Sequence, residues 1–303
     1  MPIELSTALG ATLPDRTFSW DESDVVLYHL GIGAGARAGS ATDQRTLRYT
    51  CEGSDLHVLP SFAVVAPSLR HTGTPSLDLP GCDIDLRSVL HAAQDVVVDG
   101  PIPSRGKATL KSTIVDIWET PKAAVIVREG QSFDDRGSRL WTVRDEIYVR
   151  GEGGFGGRMR PRPQHLLPSR PADTETEFPV LPQQAMLYRL SGDRNPLHID
   201  PRFAASAGLP GPILHGLCTY GIVLREVTDT LLDGDARAVT AFSGRFTGMV
   251  RPGETLRIRA WDEPERVAIS ATVDTPDTDG GPRSVLADCS LTKRGHAPRI
   301  ANA

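Results

Sequence analysis

Three side chains with complementary acid–base chemistry stand close together in the segment Tyr188-Arg-Leu-Ser-Gly-Asp-Arg-Asn-Pro-Leu-His-Ile-Asp200. Asp193 supplies a carboxylate, Asn195 an amide and His198 an imidazole, and the intervening glycine, asparagine and proline prevent one continuous helix. A carboxylate and an imidazole held side by side can share a water molecule and pass protons to and from it. Adding water to a carbon–carbon double bond, or removing it, requires this chemistry.

A helix is predicted soon after this segment, from about Gly216 to Leu231, with Gly234 just past its end. Its apolar side chains recur on one face at helical spacing: Leu217, Tyr220, Leu224, Val227 and Leu231. The first backbone N–H groups of such a helix could polarise a carbonyl. The three polar side chains therefore precede an element that could stabilise negative charge.

Each polar residue also has a purely structural explanation. Gly192–Pro196 has the composition of a tight turn, in which Asp193 and Asn195 would only form Asx turns, and His198 could be a core histidine. Asp200 and Pro201 predict the cap and the first position of a short helix, which argues against a metal site built on His198 and Asp200. We expect neither a metal nor a cofactor. The grouping of all three side chains ahead of a glycine-started helix favours catalysis.

The elements around these residues form two halves. A glycine- and proline-rich stretch over residues 151–177 predicts a linker between an N-terminal half, 1–150, and a C-terminal catalytic half, 178–303. The halves resemble degraded copies, because Leu27-Tyr28-His-Leu-Gly31 matches Leu187-Tyr188-Arg-Leu-Ser-Gly192. Later, Gly106–Trp118 matches Gly253–Trp261. The preserved order of elements favours a duplication.

Alternating apolar runs in both halves predict antiparallel strands. They are Ala123–Val127 and Leu140–Val143 in the first half, and Val267–Val273 and Val285–Leu291 in the second. With one long helix, such strands predict an α+β fold in which an antiparallel sheet wraps around a central helix. The equivalent helix of the first half is expected to be reduced, because Ser61–Pro67 is short and broken by proline.

Composition excludes several classes of protein. The chain has 303 residues, 39% of them hydrophobic and 23% charged, which is typical of a globular protein. A net charge of −5 argues against a nucleic-acid partner. The scattered cysteines predict neither structural zinc nor a disulfide framework, and no apolar run is long enough to span a membrane. Without a signal peptide at the N-terminus, we expect a cytoplasmic protein.

The segment that starts at Tyr188 resembles the signature of the hydratase 2 family, the MaoC-like (R)-specific enoyl-CoA hydratases with a double hot-dog fold. The resemblance extends to Tyr28-His-Leu-Gly-Ile-Gly33, Val58-Leu-Pro-Ser-Phe62, the Gly-Gly-Phe-Gly-Gly of the linker and Arg251-Pro-Gly-Glu-Thr-Leu256. It covers nearly the whole chain. It implies two tandem hot-dog folds and reversible hydration of a trans-2-enoyl-CoA to an (R)-3-hydroxyacyl-CoA.

The resemblance also implies a role for each residue of the motif. Asp193 and His198 would hold and activate the water, Asn195 would fix the loop and help orient that water, and the backbone N–H of Gly216 would bind the thioester carbonyl. Tyr188, His215 and Phe246 are assigned to substrate binding. The expected partners are an acyl-CoA thioester and a second copy of the chain in a homodimer.

Two departures from the family pattern stand at the edge of the implied site. His91-Ala-Ala-Gln94 occupies the place where relatives often carry His-Gly-Glu-Gln, and this puts a role of the first half at the substrate channel in doubt. Gly248-Met249 replaces the Ser/Lys-Pro usual before the Pro-Gly-Glu-Thr turn. The first half also lacks the acid–base residues after Tyr28, so one active site per chain is expected, with the N-terminal half accommodating the acyl chain.

Four other functions compete with this interpretation. Val25–Leu30 followed by Gly31-Ile-Gly-Ala-Gly-Ala36 fits a strand and a dinucleotide-binding loop, but Ala36–Thr46 lacks the large apolar residues that a crossover helix needs. A dehydratase acting on acyl carrier protein is chemically equivalent, because the phosphopantetheine arm is the same. A thioesterase would give no reason to pair Asp193 with His198, and a non-catalytic acyl-binding subunit would not need the pair at all.

Overall fold

The computed structural model describes residues 3–73, 76–161, 167–264, 266–276 and 280–294. The helices are α1 Leu5–Ala8, α2 Glu22–Gly31, α3 Gln44–Thr50, α4 Phe62–Val65, α5 Gln184–Tyr188, α6 Pro201–Ser206 and α7 Gly216–Leu231. The strands are β1 Arg16–Trp20, β2 Val89–Val98, β3 Gly106–Thr120, β4 Ala123–Phe133, β5 Arg139–Arg150, β6 Arg158–Met159, β7 Thr174–Pro179, β8 Val239–Phe246, β9 Thr255–Asp262, β10 Val267–Pro276 and β11 Pro282–Lys293. Short 3₁₀ turns include Ala66–Ser68, Arg189–Ser191 and Pro196–His198. Among the described helices, none is long and apolar enough to cross a membrane.

The strands form one sheet in the order β1-β3-β4-β5-β2-β8-β11-β10-β9-β7, with β6 added in parallel to β3. The two halves join where β2 pairs antiparallel with β8, in a register that runs from Ala93 opposite Arg245 to Val97 opposite Ala241. The predicted β-rich runs all lie within antiparallel strands. The α+β prediction is confirmed.

The central helix of the C-terminal half is α7, whose bounds match the predicted ones. Its residues from Cys218 to Thr228 are all buried, and it packs against β8 and β9. The Tyr220 hydroxyl donates to the Phe242 carbonyl at 2.7 Å and so ties the helix to the sheet. The Cys218 thiol donates to the Gly31 carbonyl at 3.4 Å, so the first turn of this helix also contacts the N-terminal half.

The N-terminal half carries a much shorter central helix. The segment predicted to hold this helix contains only α4 and the 3₁₀ turn Ala66–Ser68, as the proline at position 67 predicts. The segment Val25–Leu30 belongs to α2, which begins at a capping box between Asp21 and Asp24. Since the dinucleotide-binding alternative needs a strand there, the structure contradicts it.

The predicted duplication places matching residues side by side. Tyr28 in α2 and Tyr188 in α5 are both buried, with ring centroids 6.2 Å apart. The predicted linker contains more regular structure than its composition suggests, because β6 and the start of β7 both lie within it. Its residues 162–166 lie outside the described part of the chain.

Candidate active site

The loop that carries the acid–base residues leaves helix α5 through a glycine. The 3₁₀ turn Arg189–Ser191 ends at Gly192, whose φ of 109° is in the left-handed region that side chains disfavour. A Cβ on Gly192 would stand 2.0 Å from the Ser68 carbonyl oxygen, so the backbones are in direct contact. The two halves of the chain therefore fix the position of the residue that follows, Asp193.

Hydrogen bonds within the loop hold Asp193 and Asn195. Asp193 Oδ1 accepts from the Asn195 backbone N–H at 3.1 Å, and Asn195 Oδ1 accepts from the Leu197 N–H at 3.0 Å. Both residues thus form the predicted Asx turns. The second carboxylate oxygen of Asp193 still faces His198, and its side chain is 40% exposed. The structural and the catalytic interpretations of Asp193 are compatible.

The imidazole of His198 is oriented by the backbone. Its Nδ1 donates to the Ile213 carbonyl at 2.9 Å, which leaves Nε2 as the unprotonated nitrogen, 4.0 Å from Asp193 Oδ2. Burial lowers the pKa of His198, while the Asp193 carboxylate opposes this shift. His198 is therefore neutral at neutral pH and can accept a proton at Nε2.

A second imidazole lies against the first. His215 precedes α7, and its ring stacks on that of His198 with centroids 3.6 Å apart. His215 Nε2 lies 3.3 Å from the Asp193 carbonyl oxygen, and its buried Nδ1 has no hydrogen-bond partner within the described residues. Burial and the neighbouring His198 keep the pKa of His215 well below its usual value.

The first turn of α7 opens onto the same space. Gly216 is its first helical residue, so its N–H has no acceptor within the helix. The ring of Phe246, on β8, would lie 3.2 Å from a Cβ at Gly216. On the opposite side, the Tyr188 ring is 4.9 Å from that of His215, and its buried hydroxyl lacks a partner in the described part of the chain. The structure thus brings together all seven predicted site residues.

The donor set could in principle suit a metal ion, because ligand atoms of Asp193, His198 and His215 lie within 4.8 Å of one another. The two imidazole planes are only 27° apart with centroids at 3.6 Å, and lone pairs that lie in such stacked planes converge poorly on one tetrahedral ion. Asp200, the other acidic residue near His198, caps α6 by accepting from the Arg202 N–H at 2.8 Å. Proton transfer is the chemistry that this geometry favours.

Two residues near the site were not predicted from sequence. Arg189 is close enough to lower the pKa of both His198 and His215, and its buried Nε has no partner among the described residues. His91 reaches the site from β2, with its ring centroid 4.8 Å from that of Phe246. The only sequence signal for His91 was its place in a segment that departs from the family pattern.

Comparison with known proteins places the chain in a family. The description "MFE-2 hydratase 2 N-terminal domain" matches residues 18–151, and "MaoC like domain" matches residues 165–277. Enoyl-CoA hydratase ChsH3 of Mycobacterium tuberculosis is 47% identical over 277 residues, which are 91% of this chain and 96% of that protein. The peroxisomal enoyl-CoA hydratase 2 of Arabidopsis thaliana is 39% identical over 88% of this chain and 89% of its own. A crystal structure of a MaoC-like dehydratase from Phytophthora capsici superposes with a TM-score of 0.82 at 26% identity, covering 98% of this chain and 100% of that one. The chain belongs to the MaoC-like hydratase 2 family.

Proposed function

We propose that this protein catalyses the reversible hydration of trans-2-enoyl-CoA to (R)-3-hydroxyacyl-CoA. The observation that carries the proposal is the 4.0 Å separation between Asp193 Oδ2 and His198 Nε2 beside the start of α7. A water oxygen within hydrogen-bond reach of both atoms fits next to such a pair. The relatives named enoyl-CoA hydratase support the same chemistry.

The acid–base step uses the neutral His198. Its Nε2 accepts a proton from the bound water as the water oxygen bonds to C3 of the enoyl group. The Asp193 carboxylate orients the water and stabilises the imidazolium that forms. The catalytic pair then returns a proton to C2, so that one water is added overall. The reverse sequence dehydrates a 3-hydroxyacyl thioester at the same atoms.

The thioester carbonyl gains negative charge while C2 is a carbanion-like centre. The Gly216 N–H, at the start of α7, is the donor that we assign to this oxygen. The helix dipole adds to the stabilisation, because its positive end lies at Gly216. Tyr188, His215 and Phe246 form the walls around the reacting atoms, and Asn195 keeps the loop in place through its cap.

The N-terminal half is assigned to the acyl chain, since its central helix has only four residues, Phe62–Val65, against sixteen in α7. Kinetics with acyl chains of increasing length test this assignment, and a strong preference for four carbons would contradict it.

We also propose a cytoplasmic homodimer. Light scattering on purified protein reports the mass in solution, and fractionation of the source cells reports the compartment.

The decisive experiment follows the ultraviolet absorbance of crotonyl-CoA and of a medium-chain 2-enoyl-CoA in the presence of the enzyme. Wild type should consume both and give the (R)-3-hydroxyacyl product on chiral analysis. Asp193→Asn and His198→Ala should each lower kcat by about 10²–10⁴-fold. His71→Ala, at an exposed histidine, is the matched control and should retain full activity. Release of free coenzyme A, or formation of the (S) product, would refute the proposal.

A further inference from the structure

His91 carries an unused hydrogen-bonding atom next to the active site. Its Nε2 is buried and has no partner in the described part of the chain. A buried polar atom without a partner costs free energy and calls for an explanation, and beside a reaction site a ligand can supply the missing partner. His91 belongs to the N-terminal half, whereas the acid–base residues belong to the C-terminal half.

The protonation state of His91 defines what Nε2 can bind. Burial lowers its pKa, so the ring is neutral at neutral pH. The backbone of Ala93 raises the pKa of His91, which places the proton of the neutral ring on the nitrogen that faces Ala93. A neutral imidazole has one donor and one acceptor. With that proton on the nitrogen facing Ala93, the unpartnered Nε2 is a hydrogen-bond acceptor.

The position of His91 places this acceptor close to the thioester site. His91 lies two residues before Ala93, where the pairing of β2 with β8 begins. The Phe246 ring lies close to both residues: its centroid is 4.8 Å from that of His91, and its nearest carbon would lie 3.2 Å from a Cβ at Gly216. The Asp193 carboxylate is also near enough to raise the pKa of His91. His91 and the proposed carbonyl donor, Gly216, thus both border the Phe246 ring.

Neighbouring polar groups do not supply the missing donor. Asp145 and Arg128 lie behind His91 on β5 and β4, and both influence its pKa. Arg128 Nε and Nη2 donate to the two Asp145 oxygens at 3.1 and 3.3 Å. These two bonds direct Arg128 toward Asp145, and no Arg128 nitrogen makes a hydrogen bond to His91 Nε2.

The chemistry of the substrate limits the donors that could reach Nε2. An unsubstituted enoyl chain and a thioester carry no N–H or O–H group. The donor nearest the thioester is the amide N–H of the phosphopantetheine arm, two methylene groups beyond the sulfur. We propose that His91 Nε2 accepts a hydrogen bond from this amide and so aligns the thioester carbonyl with the Gly216 N–H. The N-terminal half therefore contributes a substrate-binding residue, and the inference rests on the proposed function.

A pair of small substrates isolates this hydrogen bond. The N-acetylcysteamine thioester of crotonate keeps the amide N–H, and the 2-acetoxyethyl thioester replaces only this N–H by oxygen. Wild type should prefer the amide substrate by about tenfold in kcat/KM, as expected for one buried hydrogen bond. In His91→Leu the preference should fall to within about twofold, with little change for the ester substrate. His91→Gln retains an acceptor and should keep part of the preference.

The controls separate recognition from damage to the fold. His71→Leu, at an exposed histidine, should keep the wild-type preference. Equal losses on both substrates in His91→Leu, or an unchanged preference, would overturn the inference. The affinity for butyryl-CoA, which cannot be hydrated, should fall about tenfold in His91→Leu. If wild type binds butyryl-CoA but does not hydrate crotonyl-CoA, the proposed function is wrong. The His91 contact is then tested by binding alone, by comparing the butyryl-CoA affinity of His91→Leu with that of wild type.

Discussion

The imidazole of His215 stacks on that of His198, with ring centroids 3.6 Å apart and an angle of 27° between their planes. Two protonated rings at this distance would repel each other strongly, so at most one of them carries a charge. The neighbouring His198 indeed lowers the pKa of His215. His215 therefore remains neutral while His198 takes up and releases the proton of the reaction.

Arg189 should contribute to the acid limit of activity, beside the larger effect of burial on the pKa of His198. The base form of His198 is required for hydration, and activity is lost as the pH falls through its lowered pKa. Because the Arg189 charge contributes to this lowering, Arg189→Gln should raise the pKa of His198 and move the acid limb of kcat/KM to higher pH. Arg202→Gln removes an equal charge from an exposed position of α6 and should leave the profile in place. An unshifted acid limb in Arg189→Gln would contradict this role.

Gly216 allows the carbonyl donor to be removed without breaking the helix. Proline is tolerated at the first helical position, and His215, with φ −59° and ψ 134°, already has the conformation that proline requires of the preceding residue. Gly216→Ala adds a Cβ against Phe246 but keeps the N–H. We expect Gly216→Pro to lose about 10²–10³-fold more kcat than Gly216→Ala. Similar kcat values for the two variants would show that the Gly216 N–H is not the donor to the thioester carbonyl.

The acid–base loop and the central helix could be predicted from sequence because their signals are local. The bounds of α7 follow from apolar spacing that begins at Gly216, and the caps at Asn195 and Asp200 follow from residue types at adjacent positions. The reduced helix of the first half follows from the proline at position 67. Each of these features depends on residues that are close together in the sequence.

The parts that sequence could not predict depend on long-range pairing. The contact of Gly192 with Ser68 and that of His91 with Phe246 each join residues that lie far apart in the sequence, and the second is made across the pairing of β2 with β8. Nothing local to His91 indicates that its ring faces a residue of the other half. The helix α2 was also not predicted, because its glycine-rich end resembles a nucleotide-binding loop.

Gly192 should be intolerant of any side chain. Gly192→Ala would combine a left-handed φ with a Cβ 2.0 Å from the Ser68 oxygen, so the loop must shift. Displacement of Asp193 by about 1 Å would cost about 10²-fold in kcat. Gly208→Ala is the matched control, since Gly208 has a φ of 78° but open space around its Cα. It should cost only about 1 kcal/mol of unfolding free energy and leave kcat unchanged. Equal activity in both variants would refute the packing argument.

His29 should make the fold sensitive to acid. Its ring is fully buried, Nδ1 donates to the Tyr49 carbonyl at 2.9 Å, and Nε2 accepts from the Leu59 N–H at 3.3 Å. Burial lowers its pKa from 6.5 to about 4. Between these values the unfolded chain binds a proton that the native protein does not bind, so stability falls as the pH falls.

The contribution of His29 to this loss is about 1.4 kcal/mol per pH unit, and it ends below about pH 4. His29→Gln can keep both hydrogen bonds without titrating, so its unfolding free energy should decline less steeply by that amount between pH 6.5 and 4. Urea unfolding at several pH values measures the slopes, with His71→Gln as an exposed control that should follow wild type. If the unfolding free energy of His29→Gln depends on pH as steeply as that of wild type, His29 is protonated in the native fold. The two hydrogen bonds would then not keep its ring neutral.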